Sequence, residues 1–259
     1  MGERNTTDQR RTRRREIDLT KELARRLKNK FPSFHIYANK CPSRSKRIRR
    51  KWQEVFREAC PPLQPEIDII IMEPQTSNSS GYNLRAIEIK YFEKVNGSVN
   101  QSFYKGIEQS VALLQWGFNN VALWQLFDES LSDSDLRNYG CKTWSYIHSL
   151  LNLPIEYTPI KVIGEELETA HFQVIQADWL NNLRPIPLLD IDSSGFRIKY
   201  THDNPLLNWR ELNERFTVRV GHRYFLLPGL NRLGKEVDML RQFLLEWLPE
   251  QEPVKASQV

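Results

Sequence analysis

Two apolar segments, each interrupted by an acid, constrain this chain more than anything else in it. They are Glu66 to Glu73 (EIDIIIME) and Leu84 to Phe92 (LRAIEIKYF). Their short length and β-branched content make them strands rather than helices. Between them, Thr76 to Asn83 (TSNSSGYN) has the composition of a turn or loop, so the pair is expected to be an antiparallel hairpin. Asp68 sits among Ile67, Ile69, Ile70 and Ile71, and Glu88 among Ala86, Ile87 and Ile89. An unpaired buried carboxylate is costly, so acids at such positions require a cation or hydrogen-bond donors nearby.

Side chains alternate faces along a strand, so Glu88 and Lys90 point the same way while Ile87 and Ile89 point the other. A hairpin partner brings Asp68 beside Glu88. Two carboxylates then converge where a Mg²⁺ ion with oxygen ligands could sit, with the backbone carbonyl of Ile89 as a further ligand. An ExK triplet alone is weak, because alternating charges decorate many exposed strands, and a purely structural salt bridge from Lys90 to Glu88 or Asp68 is the plainer alternative. The conjunction with two apolar strands favours chemistry.

The rest of the chain reads as alternating helices and strands. Residues 1–14 lack periodicity and are expected to form a flexible basic arm. A helix is predicted from Arg15 to Phe31 on the spacing of Leu19, Leu23 and Leu27, ending at Pro32. Phe34 to Ala38 reads as a short strand. A basic amphipathic helix follows, with Ile48, Trp52, Val55, Phe56 and Ala59 as its apolar stripe. After the hairpin, Tyr104, Ile107, Val111, Leu114 and Phe118 predict a helix over Gln101 to Phe118, and Val121 to Phe127 a buried strand. A helix is expected around Asp133 to Leu151, with Pro154 and Pro159 interrupting the chain beyond it. Short strands are expected at Phe172 to Ala177, Phe196 to Tyr200 and Phe216 to Val220. A final helix carries Leu233, Val237, Leu240, Leu244 and Trp247 and stops at Pro249.

Charge is distributed unevenly. Residues 1–60 hold 19 Lys and Arg against 7 Asp and Glu, although the whole chain of 259 residues carries only +5. Clustered cations reward polyanion binding through counterion release; a solvated arm is the duller explanation. Candidate nucleic-acid contacts are Arg13, Arg14, Arg15, Lys46, Arg47, Arg49, Arg50 and Lys51. Three widely spaced cysteines indicate neither a disulfide framework nor a zinc site. No apolar run suits a membrane span or a secretory signal, so a cytoplasmic chain with no membrane partner is expected.

The run Pro65-Glu66-Ile67-Asp68, followed by Glu88-Ile89-Lys90 in an apolar strand, resembles the signature of the PD-(D/E)xK nuclease superfamily, which includes many restriction endonucleases and Holliday-junction resolvases. The proline stands three residues before Asp68 rather than next to it. The resemblance covers roughly residues 15–127. It implies an α/β fold with a restriction-endonuclease-like mixed central sheet flanked by helices, a nuclease core over 15–152, and a C-terminal α+β region over 153–259. It also implies Mg²⁺, with Mn²⁺ able to substitute, held by Asp68, Glu88 and the Ile89 carbonyl. Lys90 would orient water or stabilise negative charge.

Related enzymes often add an acid from the helix before the hairpin. Glu16 lies on the Leu19 stripe and would point inward, whereas Glu22 is off it and is expected to face solvent. Lys105 and Gln109, on the helix after the ExK strand, could reach the site or the DNA backbone, although a solvated polar face explains them slightly better. The expected function is a Mg²⁺-dependent DNA endonuclease, alone, as a homodimer or with a partner protein in a larger DNA-processing complex. The alternative is a non-catalytic nucleic-acid-binding subunit on the same scaffold.

Overall fold

The computed structural model describes residues 2–75, 82–175, 189–198, 200, 202–208, 218–220, 223–225 and 230–256. Residues 76–81 of the expected loop, and the parts of the three short C-terminal strands at 176–177, 199 and 216–217, lie outside them, as does the Leu233 side chain.

A seven-stranded mixed sheet organises the chain. It contains β1 (His35–Lys40), β2 (Ile67–Pro74), β3 (Tyr82–Phe92), β6 (Asn120–Asp128), β7 (Ile155–Ile163), β8 (His171–Val174) and β9 (Leu189–Asp190), side by side in that order. β1, β2 and β3 are antiparallel, while β3, β6 and β7 run parallel. Between β3 and β6 lies a two-stranded hairpin, β4 (Lys94–Val95) with β5 (Ser98–Val99). Its turn is Asn96-Gly97, both at positive φ, the conformation that matches the twist of a two-residue hairpin. A separate pair, β10 (Val218–Val220) and β11 (Arg223–Phe225), is also antiparallel. The chain beyond residue 153 therefore contributes three strands to the same sheet.

Strand alternation gives the sheet two buried faces. Leu19, Leu23, Ala24 and Leu27 of α1 (Gly2–Lys30) cover the face carrying Ile69, Ile71, Ile87 and Ile89. The other face, with Ile70, Met72, Leu84, Ala86 and Phe92, packs against α2 (Lys46–Phe56), α3 (Ile107–Gln115), α4 (Asp133–Trp144) and α5 (Leu230–Trp247). Ser45 caps α2 by accepting from the Ile48 N–H, and Ser132 with Asp135 forms a capping box on α4. No described helix is long and apolar enough to cross a membrane. The three cysteines are free thiols.

Several elements depart from expectation. The arm expected to be flexible over residues 1–14 is helical from Gly2 and continuous with α1. Nothing in the sequence from Glu3 to Lys30 breaks a helix, and Thr12 anchors the segment by donating to the Glu93 carboxylate at 2.7 Å. α2 stops at Phe56 because Arg57 adopts a left-handed conformation, so Ala59 lies beyond it, and Val55 is 59% exposed rather than in the stripe. α3 begins only at Ile107, which leaves Tyr104 in a preceding turn and 49% exposed. α4 ends at Trp144 and passes into a π-helical turn, Ser145–Leu150. The described residues of Phe196 to Tyr200 form no strand.

Pro159, expected to interrupt the chain, lies inside β7. Its carbonyl accepts from the Ile175 N–H at 2.9 Å, and the β7–β8 ladder begins one residue later at Ile160. The donor that proline lacks therefore faces the end of a ladder, where its absence is tolerated.

Candidate active site

The register that pairs Ile69 with Ile87 carries Asp68 opposite Glu88, but the backbone ladder between β2 and β3 stops at that point. β3 continues to Phe92, held on its other side by β6, so its edge toward β2 is open over the last residues. Two carboxylates fill that edge. Asp68 Oδ2 accepts from the Ile89 N–H at 2.7 Å, and Glu16 Oε2 from the Tyr91 N–H at 2.9 Å. A residue's N–H and C=O leave a strand on the same side, so the Ile89 carbonyl opens onto the gap that Asp68 occupies.

Asp68, Glu88 and Lys90 share the sheet face that carries Ile70, Ala86 and Phe92. Lys90 Nζ lies 2.6 Å from Glu88 Oε1 and 3.6 Å from Glu16 Oε1. Glu88 is fully buried, and neither of its oxygens accepts a well-formed hydrogen bond among the described residues, so the Lys90 ion pair is its main compensation. Burial raises the Asp68 pKa from its ordinary value to about 7, against the pull of Lys90 and the Ile89 N–H. Burial, followed by the neighbouring Asp68 charge, lifts Glu88 well above the carboxylate range. Burial disfavours the Lys90 ammonium too, but Glu88, Glu16 and Asp68 around it outweigh that effect and raise its pKa. The centre thus sets three carboxyl groups around one lysine, and burial favours the protonated form of two of them.

Beside it is a cavity of about 460 Å³ that reaches Glu16 and Lys90 and is bounded by the Thr12 to Glu16 stretch of α1, the β4–β5 hairpin, and the segment carrying Lys105 and Gln109. Lys105 belongs to the turn before α3 rather than to the helix. A buried network holds that turn. Gln125, opposite Lys90 on β6, donates to the Phe103 carbonyl at 2.8 Å and accepts from Tyr157 Oη at 2.8 Å, while Thr143 Oγ1 also donates to Phe103 O. Gly106 closes the turn at φ 91°; a Cβ there would lie 2.6 Å from a Leu123 methyl carbon and 3.0 Å from Lys90 Cγ. The turn thus lies directly against the stem of Lys90.

The structure brings together five of the residues singled out in the sequence: Asp68, Glu88, Lys90, Glu16 and the Ile89 backbone. Arg13, Lys105 and Gln109 line the adjoining cavity, and Arg13 also lies 3.6 Å from Glu66. Arg14 is exposed on α1, and Arg15 donates to the Glu165 carbonyl at 2.8 Å. Lys46, Arg49 and Arg50 are exposed on α2. Arg47 and Lys51 instead pair with Glu246 of α5, and Arg47 with Glu250 as well. Glu22, expected in solvent, is buried between Arg25 and Arg26, because Arg26 also reaches Asp192 at 2.6 Å and encloses it.

The β4–β5 hairpin, Gly106 and Gln125 were not singled out in the sequence. Asn96-Gly97 is a signal that identifies the hairpin. A glutamine inside the apolar run VALWQLF marks Gln125 as a buried polar group that needs partners. No local signal distinguishes Gly106.

Comparisons with protein-family models, with curated proteins and with solved structures find no match to this chain.

Proposed function

We propose that the chain is a divalent-metal-dependent nuclease that hydrolyses phosphodiester bonds in DNA, on a restriction-endonuclease-like core. One observation carries this reading: half-buried Asp68 and fully buried Glu88 stand opposite each other at an opened sheet edge, with the Lys90 ammonium between Glu88 and Glu16. A structural salt bridge needs only one acid per lysine. Three acids around one amine, two of them with pKa values raised by burial, make a centre that gains from a further cation.

The donors suit a hard cation. Among the described residues no three His, Cys, Asp or Glu side chains are grouped to hold a metal ion by themselves. The available set is therefore the Asp68 and Glu88 carboxylates and the Ile89 carbonyl, all oxygen, with water completing the shell. Mg²⁺ commonly binds through one or two carboxylates and keeps several waters, and Mn²⁺ accepts the same donors. The buried Glu88 carboxylate, which has the Lys90 ion pair on Oε1 but no well-formed hydrogen bond among the described residues, fits that role. A bound Mg²⁺ supplies Lewis acidity toward a phosphoryl oxygen and lowers the pKa of water.

The protein's own groups supply the rest. Lys90 donates hydrogen bonds to the attacking water or to the phosphoryl oxygen that gains charge. Glu16, held by the Tyr91 N–H through Oε2, keeps Oε1 toward Lys90 and the cavity, where it can orient that water. The exposed cations Arg14, Lys46, Arg49 and Arg50 would follow the DNA backbone.

Plasmid cleavage in Mg²⁺ or Mn²⁺ tests the proposal. Wild-type protein is expected to cut, and Asp68→Ala to lose about a hundredfold or more of that activity. Lys90→Ala should still bind DNA but cut poorly. Equal cutting by wild type and Asp68→Ala would overturn the site. Binding without any cutting by the wild type would instead leave the nuclease-like scaffold as a nucleic-acid-binding subunit.

A further inference from the structure

The cavity beside Lys90 is built for more than a phosphate. Three cations, Arg13, Lys90 and Lys105, line it against one carboxylate, Glu16, so it favours an anionic guest. Its remaining polar lining is mostly amide and hydroxyl. Asn100 lines it too: Asn100 Oδ1 accepts from the Glu93 N–H at 3.1 Å, while Nδ2 is buried with no hydrogen-bond partner among the described residues. An orphaned amide donor beside a cationic wall is what the edge of a nucleobase can satisfy. At about 460 Å³ the cavity is the size of a small-ligand pocket.

A second observation lies just outside. Tyr104, next in sequence to the cavity-lining Lys105, has 49% of its surface in solvent and is fixed edge-on against Phe103, with ring centroids 5.4 Å apart. The turn that carries it is anchored through Phe103 O by Gln125 and Thr143. A rigidly mounted, exposed aromatic ring beside a cationic groove provides a stacking platform for an unpaired base.

We propose that this cavity seats one unpaired nucleotide of a DNA strand next to the cutting centre, with its phosphate on Lys105 and Arg13, its base edge on Asn100, and the neighbouring base stacked on Tyr104. The inference rests on the nuclease reading and narrows its substrate to single-stranded DNA or to an unpaired stretch within a duplex.

Fluorescence anisotropy with the full chain in EDTA tests this without any cutting. A labelled single-stranded oligonucleotide is expected to bind about tenfold more tightly than the blunt duplex of the same sequence. Tyr104→Ala should weaken single-strand binding about tenfold and duplex binding less than about twofold. Asn100→Leu should act in the same selective direction. Tyr104 is exposed, so its loss leaves the core intact. Duplex binding as tight as single-strand binding, or a Tyr104→Ala loss equal for both, overturns the proposal. Failure of the nuclease reading looks different: neither DNA is cut in Mg²⁺ or Mn²⁺, while selective single-strand binding and its dependence on Tyr104 persist.

Discussion

The carboxylate of Asp68 accepts the Ile89 N–H at 2.7 Å, so a side chain takes over on β3 where the backbone ladder from β2 stops. That substitution opens the sheet edge and brings the Asp68 carboxylate to Glu88. It also leaves two acids in an apolar setting, which has consequences for stability.

Asp68 ionises near its ordinary value of 3.8 in the unfolded chain but at about 7 in the folded protein. The native state therefore holds that proton more tightly. Its contribution to stability is complete below about pH 4 and is lost as pH rises to about 7, at about 1.4 kcal/mol for each unit of pKa difference. Glu22, Asp135 and Glu246, with lowered pKa values, act in the opposite direction, so the informative quantity is the difference from Asp68→Asn. In EDTA at pH 8 the variant should melt several degrees above wild type, and the gap should close toward pH 4. Mg²⁺ at pH 8 should raise the melting temperature of wild type alone. A pH-independent gap in thermal melts would contradict the assignment.

Gly106→Ala should destabilise the fold by about 1–3 kcal/mol in urea titrations, since a Cβ meets Leu123 and the Lys90 stem and the backbone is left-handed. Gly97→Ala is the control. Its φ is +80° but nothing lies within 4 Å of the added carbon, so only backbone strain of about 1 kcal/mol is expected. Equal losses at the two positions would show that Gly106 is not in contact with Lys90.

Gln125→Leu removes one of two donors from Phe103 O, which keeps Thr143, and leaves the buried Tyr157 Oη without its acceptor. A cost of about 1–3 kcal/mol follows from leaving such groups unsatisfied. Hydrogen exchange should accelerate in residues 101–106 more than in β6 itself. Uniform acceleration would mean that the network does not specifically tether the turn.

Glu246→Ala releases Arg47 and Lys51 from α5. These groups are partly exposed, so stability should change by less than about 1 kcal/mol. If α2 follows phosphates, duplex affinity at low salt should rise and its salt dependence should steepen by up to about two counterions. Unchanged salt dependence would remove α2 from the DNA-binding surface.

The central hairpin and Glu16 were legible because they depend on local periodicity: alternation placed Glu88 with Lys90, and the Leu19 stripe oriented Glu16. Features set by distant contacts were not. Arg10 to Arg15 read alike whether loose or helical, and what anchors that segment is Thr12 reaching Glu93. Glu22 looked solvated until Arg26 and Asp192, 166 residues apart, enclosed it. Tyr104 fitted the helical stripe of α3, but the left-handed Gly106 caps the helix so that it begins only after that residue. Pro159 read as a break, because a sequence does not reveal that the adjacent ladder ends there.

One margin of the sheet is β1, and there the Val254 N–H bonds to the Ile36 carbonyl at 2.7 Å. The segment carrying Val254 thus acts as a guard rail along a strand edge that no other described strand pairs. Removing it would bare main-chain groups of β1 able to recruit a strand from another molecule.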